Sequence, residues 1–290
     1  MKPATFTYVR PTAKEDVLDL LAADPDGSKV LAGGQSLVPM MNFRLARPER
    51  LIDINAVPGL SGVRVERDRL RIRARTRHVT LQNHTGQDPT ARLLRSAAAL
   101  VGHLPIRTRG TFGGSLAHSD AASEWCLVAR LLDAEMTVES VRGTRVVPAA
   151  DFFLSVFTTA VEPDELLTDV SLPVLGSEHQ AGIAEFARRA GDFAIVAVAT
   201  DVQVVDGRVE RARVCIGGVS ETPFRSAAAE QVLLGQPWEA ESSTSDVVLE
   251  AAAAAAAEVS PPSDSHGDAQ YRRDLVRALL PRAIVQGRMT

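Results

Sequence analysis

Two short glycine-rich stretches constrain this chain more than anything else in it. The first follows the apolar run Val30-Leu31-Ala32 and reads G-G-Q-S-L-V-P-M-M-N-F-R from Gly33 to Arg44. The second, Arg109 to Glu124, reads R-G-T-F-G-G-S-L-A-H-S-D-A-A-S-E, with Gly113-Gly114 ahead of Ser115. Paired glycines let backbone N–H groups turn toward a ligand and let that ligand approach closely. Ser36, Gln35 and Ser115 add polar side chains at the same places. Two such loops, far apart in the chain, suggest one large phosphate-bearing ligand gripped from two sides. A single Gly-Gly pair is ordinarily a turn and nothing more. Neither stretch is a Walker loop, because no Gly-Lys-Ser/Thr follows, and neither is the G-x-G-x-x-G dinucleotide fingerprint. Spacing alone therefore supports an anion or cofactor loop and goes no further.

The 290 residues are enough for two or three compact units. A formal net charge of −4 gives no general affinity for nucleic acid or anionic membrane. Cys126 and Cys215 form no C-x-x-C pair, so the chain itself should ligate neither an iron–sulfur cluster nor a structural zinc. Two buried thiols in a reducing cytoplasm are expected. No run reaches membrane-spanning length and the N-terminus has no apolar signal region, so the expected location is cytoplasmic.

Residues 1 to 55 read as a βαβ-like unit. A strand at Thr5 to Val9 leads into a helix from Ala13 to Ala23, with Glu15 and Asp16 at the end where the helix dipole favours acids. Strands follow at Lys29 to Ala32 and Leu51 to Ile54. Gly62 to Val79 alternates apolar and charged residues, a hairpin turning at Arg67-Asp68 with an arginine-rich wet face. Helices are expected from Thr80, at Ala91 to Val101 and at Ser123 to Asp133. A second hairpin turns at Arg142-Gly143, and Leu166 to Leu172 is a closing strand. Past a boundary near Leu175-Gly176-Ser177-Glu178 come antiparallel strands at 183–187, 195–205 and 209–216, the last two joined at Asp206-Gly207, a strong hairpin signal. Helices at 226–234, 245–259 (with seven consecutive alanines) and 267–288 complete the chain.

The segments A-G-G-Q-S-L-V-P-M-M-N-F-R and T-F-G-G-S-L-A-H-S-D-A-A-S-E resemble the two FAD-binding signatures of the flavoprotein (medium) subunit of molybdenum hydroxylases, the xanthine dehydrogenase and aerobic carbon monoxide dehydrogenase family. Further matches are Arg188-Arg189-Ala190-Gly191-Asp192-Phe193-Ala194, then Gly217-Gly218-Val219 with Pro223 and Arg225, then Tyr271-Arg272-Arg273. They run in order along nearly the whole chain. The resemblance implies an α+β fold: a two-part FAD-binding domain of the vanillyl-alcohol oxidase type over 1–175 (subdomains 1–55 and 56–175), then a C-terminal domain over 176–290 with a three-stranded antiparallel sheet and helices.

It also implies a site. Ala32, Gly33, Gly34, Gln35 and Ser36 would form the first FAD loop, and Thr111, Gly113, Gly114 and Ser115 the second, with backbone donors serving the pyrophosphate and few cationic side chains needed. Asp120 would accept from a ribose hydroxyl; the alternative for it is a loop cap. Phe193 matches the position where an aromatic residue, often Tyr, lies against the isoalloxazine ring; the alternative is a core Phe. Gln35 stands where the family often has His, and cannot titrate. Ser115 stands where many relatives have Asn, with a shorter reach. His118 beside Ser115 and Asp120 is not a hydrolase triad, because triad members converge from distant parts of a chain and no nucleophile elbow is present.

The implied function is an FAD-carrying electron-transfer subunit of a heterotrimeric molybdenum hydroxylase. Electrons would arrive from 2Fe–2S clusters on a small subunit, supplied by a molybdenum cofactor on a large one, and leave to an external acceptor; a dimer of heterotrimers is expected. Two other readings are a free-standing FAD oxidoreductase, which would need an acid–base residue beside the flavin that the sequence does not offer, and a non-catalytic FAD-carrying assembly subunit.

Overall fold

The computed structural model describes residues 1–238 and 245–289. Its N-terminal unit holds β1 (Thr7–Val9), α1 (Lys14–Ala23), β2 (Ser28–Leu31), α2 (Leu37–Asn42) and β3 (Arg50–Asp53), with a single 3₁₀ turn at Ile54–Ala56. The strands pair in parallel in the order β1-β3-β2. Val17, Leu18 and Leu21 recur on one face of α1 and bury against Ile52 and Ile54, the βαβ arrangement that the apolar spacing predicts.

The second unit contributes β4 (Val63–Glu66), β5 (Arg69–Arg73), α3 (His78–Gln82), α4 (Pro89–Leu100), α5 (Leu104–Arg109), α6 (Phe112–His118), α7 (Glu124–Leu131), β6 (Glu135–Ser140), β7 (Gly143–Pro148), α8 (Ala149–Phe152), β8 (Phe153–Ser155), β9 (Thr158–Thr159) and β10 (Leu166–Pro173). Both expected hairpins form. The closing strand, however, enters the middle of the five-stranded sheet, whose order is β4-β5-β10-β6-β7. Seven of its eight residues are buried, so its sequence shows no alternation. The arginine face of β5 is not simply solvated. Arg71 donates through Nε to Asp169 at 2.8 Å, and Arg73 lies 3.4 Å from the same carboxylate, which is buried on β10.

β11 (His179–Phe186), β12 (Val196–Val205), β13 (Arg208–Gly217) and β14 (Phe224–Arg225) build the C-terminal sheet, followed by α9 (Ala227–Leu233), α10 (Asp246–Glu258) and α11 (Ala269–Met289). Three long antiparallel strands form as expected, and a two-residue fourth strand joins the edge. Its brevity is why the sequence does not announce it. Asp206 and Gly207 both take positive φ, 49° and 73°, as a type I′ turn requires.

Both faces of this sheet are buried. Along β12, Val196, Val198 and Val202 pack on the domain's own helices, while Ala197 and Ala199 join the large core of the second unit. Small residues on that face let α7 approach. Close approach also governs the opposite side: a Cβ on Gly182 would lie 2.1 Å from the Ala283 carbonyl of α11. In the alanine run, Ala251, Ala252, Ala255 and Ala256 are buried at helical spacing, so the run is a packed helix and not a linker.

Candidate functional site

β2 ends beside β3, and the chain turns sharply at Gly33-Gly34. The Ala32 carbonyl accepts from Asn55 Nδ2 at 2.7 Å, which ties the start of the turn to the end of β3. Gly34 has φ +70°, a conformation that glycine adopts without penalty. Carbonyls of the turn are spent inside the chain: Gly33 O accepts from Gln35 Nε2 at 3.0 Å, Gly34 O from the Val38 N–H, and Ser36 O from the Met40 N–H. Among the described residues the N–H groups of Gly33, Gly34, Gln35 and Ser36 find no acceptor.

The second motif is not a loop throughout. Thr111 caps α6 by accepting from the Gly114 N–H at 3.1 Å, so Gly113, Gly114 and Ser115 lie in the first turn of a helix. The preceding residues Leu104 to Arg109 are also helical. The segment is fixed from below: Phe112 N–H donates to Thr76 O and Gly113 N–H to Ala74 O, each at 2.8 Å. Gly113 is buried, and a Cβ there would stand 2.5 Å from that of Ala74. Its glycine serves packing, whereas Gly114 is exposed. The two motifs touch. A Cβ on Gly33 would lie 2.5 Å from Arg109 O and 2.7 Å from Gly110 Cα.

Around the first turn lies a cleft of about 660 Å³ that sequence reasoning only partly foresaw. Ala32, Gly33, Gly34 and Gln35 line it, as expected, and so do Val38, Pro39, Asp53, Asn55 and three arginines, Arg10, Arg77 and Arg109. Ser36, Thr111, Gly114, Ser115 and Asp120 are not among its lining residues. The cleft carries more cationic side chains than the few the sequence led us to expect at the diphosphate. A signal was available in the sequence, since Arg109 opens the second motif and Asp53 ends a strand of the parallel sheet, with Asn55 in the turn just beyond it, where ligands of such sheets gather.

Asp53 accepts from Tyr8 Oη and from the Asn55 N–H and side-chain amide, and Arg10 lies 3.8 Å away. Burial works to raise its pKa, but these hydrogen bonds outweigh burial and hold the carboxyl below its ordinary value. Arg77 donates to Asn55 Oδ1 at 2.7 Å and to the Arg109 carbonyl. Burial, then the neighbouring charges of Arg75 and Arg109, lower its pKa. Beneath the motif, Trp125 Nε1 donates to His78 Nδ1 at 3.0 Å. Burial, with Arg77 and Arg107 nearby, pushes His78 down to about 4, so this histidine is a neutral structural element.

Asp120 does act as a loop cap: its Oδ1 accepts from the Ala122 N–H at 2.9 Å. Phe193 is 64% exposed, which removes the core-Phe alternative. It follows a turn in which Gly191, at φ +82°, packs against the His103 ring. His118 stacks on Phe157 at 4.7 Å. The remaining matched segments meet at one buried side chain. Arg272 donates through Nη1 to the carbonyls of Ile195 (2.6 Å) and Gly218 (2.8 Å), and through Nη2 to Asp264 at 2.7 Å. Those segments are joined as scaffold behind the exposed Phe193 turn.

Two carboxyls escaped the sequence reading as a pair. Glu124 begins α7 and is buried; burial, with Glu185 nearby, pushes it up to about 8. Glu185 on β11 is pushed by burial to about 7.

Comparison with known proteins now adds to this geometry. Residues 4–175 match the family model for the FAD-binding domain in molybdopterin dehydrogenase, and residues 182–286 match that for the CO dehydrogenase flavoprotein C-terminal domain. The chain is 40% identical over 287 residues to the 6-hydroxypseudooxynicotine dehydrogenase complex subunit alpha of Paenarthrobacter nicotinovorans, covering 99% of this chain and 95% of that one. It is 39% identical to the nicotine 6-hydroxylase medium subunit of the same organism, covering 99% and 98%. Among solved structures, a chain of carbon monoxide dehydrogenase from Hydrogenophaga pseudoflava superposes with a TM-score of 0.93 at 33% identity, covering 99% of this chain and 98% of that chain. A chain of quinoline 2-oxidoreductase from Pseudomonas putida 86 gives 0.92 at 32%, covering 100% and 99%.

Proposed function

This chain belongs to the family of FAD-binding medium subunits of molybdenum-containing dehydrogenases, and from that premise we propose that it carries electrons through FAD within a heterotrimeric molybdenum hydroxylase. When bound, FAD supplies the redox chemistry that links iron–sulfur centres to an external acceptor. The protein's part is to hold, orient and screen it. The observation that carries the reading is the turn at Gly33-Gly34, with its carbonyls spent inside the chain and a cationic cleft beside it.

In this reading Gly33, Gly34, Gln35 and Ser36 present backbone and side-chain donors to the diphosphate. Thr111 and Ser115 do so with their hydroxyls from the turn that begins α6, where the Gly114 and Ser115 N–H groups are already bonded to Thr111 and the exposed Gly114 leaves room for the ligand. Gly33 also sets the close spacing of the two segments, while Ala32 anchors the first to Asn55 and Gly113 seats the second on Ala74. Asp120 accepts from a ribose hydroxyl with the carboxylate oxygen that does not cap Ala122. Phe193 shields one face of the flavin and controls access of the oxidant. No residue of this chain need touch the molecule that the complex oxidises.

Partners are a large subunit with the molybdenum cofactor and a small subunit with 2Fe–2S clusters, assembled as a dimer of heterotrimers in the cytoplasm. Among the described residues no helix is long and apolar enough to cross a membrane. The relatives at 38–40% identity are subunits of enzymes named for nicotine derivatives and caffeine, ahead of carbon monoxide dehydrogenase medium chains at 31–32%. A nitrogen heterocycle is accordingly the proposed substrate class of the complex.

Affinity purification of the chain from its native host tests this. FAD, a molybdenum-containing large chain and an iron–sulfur small chain should co-purify, and N-heterocycles should reduce the flavin of the complex. A lone FAD protein that turns over a substrate by itself would refute the subunit role.

A further inference from the structure

The FAD cleft holds more positive charge than the chain neutralises. Among the described residues that line it, the charged groups are Arg10, Arg77, Arg109 and Asp53. Asp53 is already engaged, by Arg10 at 3.8 Å and by donors from Tyr8 and Asn55. Neither Arg77 nor Arg109 has a carboxylate within ion-pair distance among the described residues. Asp53 acts on Arg77 only from beyond ion-pair distance, and burial and the charges of Arg75 and Arg109 outweigh it; Arg77 is partly buried, where repulsion between like charges is less screened than in water.

Both arginines are also built into the two glycine motifs. Arg77 pairs with Thr111 in an isolated antiparallel bridge and donates to Asn55, whose amide holds the Ala32 carbonyl. The Arg109 carbonyl is the atom against which Gly33 packs. The Arg77 guanidinium and the Arg109 backbone are therefore positioned by the same contacts that bring the motifs together. Two positive charges beside glycine N–H groups, one held by Asn55 and the other free to swing, match a dianion.

We propose that Arg77 and Arg109 form the cationic wall of the diphosphate subsite, neutralising its two negative charges and making the site select a flavin dinucleotide over a flavin without phosphate. The inference rests on the FAD reading above. The two residues contribute differently. Arg77 also clamps Asn55 and the Arg109 carbonyl, so its loss would disturb the turn itself. The Arg109 guanidinium has no hydrogen-bond partner among the described residues, so its charge can be removed without breaking a contact.

The test uses the full chain, stripped of flavin and titrated separately with FAD and with riboflavin at low and high salt, with flavin fluorescence as the readout. Wild-type protein should bind FAD with an affinity that falls as salt rises. Arg109→Gln should weaken FAD about ten- to hundredfold at low salt, as loss of a charge-assisted contact does. It should flatten the salt dependence and leave riboflavin within about twofold, since riboflavin carries no diphosphate to lose that contact. Arg77→Lys keeps the charge and should retain more FAD affinity than Arg77→Gln. Unchanged FAD affinity and salt dependence in Arg109→Gln would overturn the inference alone, and so would an equal loss for FAD and riboflavin. A wild-type chain that takes up no FAD would overturn the flavoprotein reading together with it.

Discussion

Replacing Glu124 with Gln should remove a pH dependence of stability that the wild type carries. Glu124 is 6% exposed at the first residue of α7, and the charged groups that act on it are Glu185 and Asp120, both acidic. Burial is the main cause of its rise to about 8, and its position at a helix N-terminus opposes that rise only in part. The sign follows from proton counting. In the unfolded chain a Glu ionises near pH 4.3, while in the folded chain Glu124 keeps its proton until about 8. Between those values the folded state holds one proton more than the unfolded state, so stability falls as pH rises. One proton of difference is about 1.4 kcal/mol per pH unit, giving at most about 4 kcal/mol between about pH 5 and pH 8. Coupling to Glu185 and water entry reduce this to roughly 2–3 kcal/mol. For a chain of 290 residues that is a melting shift of about 3–5 °C.

Gln is the neutral shape of the protonated acid. Glu124→Gln should therefore match the wild type near pH 5 and exceed it near pH 8. The measurement is the melting temperature of both proteins across that range, read as the difference between them so that other titrating groups cancel. His78, lowered to about 4, is one such group: it contributes stability above its unfolded pKa and loses it as pH falls. Parallel curves for wild type and variant, or a gap that closes toward high pH, would refute the account of Glu124 as a buried protonated carboxyl.

Other substitutions probe separate parts of the structure. Gly33→Ala places a methyl group 2.5 Å from Arg109 O, so it should cost about 1–3 kcal/mol and lower FAD content; normal content and stability would show that the two motifs need not touch. Arg272→Met leaves the carbonyls of Ile195 and Gly218 without their donor, while the half-exposed Asp264 carboxylate turns to water, an expected loss of about 2–4 kcal/mol by thermal unfolding; a loss under about 1 kcal/mol would deny the residue its scaffold role. Phe193→Ala should leave stability within about 0.5 kcal/mol, because the ring is exposed, yet shift flavin potential or acceptor reactivity; no change in either places Phe193 away from the flavin. Asp120→Asn keeps an acceptor for the Ala122 N–H, so a fall in FAD affinity of about 1–3 kcal/mol there, without a fall in melting temperature, would assign the carboxylate to the ligand; equal affinity would leave it a cap.

Periodicity, turn chemistry and motif carried much of this protein in one dimension. The apolar stripe of α1, the Arg67-Asp68 and Asp206-Gly207 hairpins and the alanine helix are local matters, set by side-chain spacing and backbone preference over a few residues. The two glycine stretches pointed to a cofactor for the same reason, since glycine's freedom is a property of the residue itself. Position in space was not legible in this way. Nothing along β10 says that it enters the centre of a sheet between strands far away in sequence, because burial on both faces erases alternation. Gly113 and Gly114 are neighbours in sequence, yet one meets Ala74 and the other faces outward; only the packing of α6 separates them. Arg77 reads as one charge in an arginine-rich stretch until the fold sets it beside Arg109 and Asn55, and Glu124 and Glu185 become a pair only when α7 meets the C-terminal sheet. Charge acts through distance and burial. Those are fixed by the tertiary structure, and with them the electrostatic character of the site.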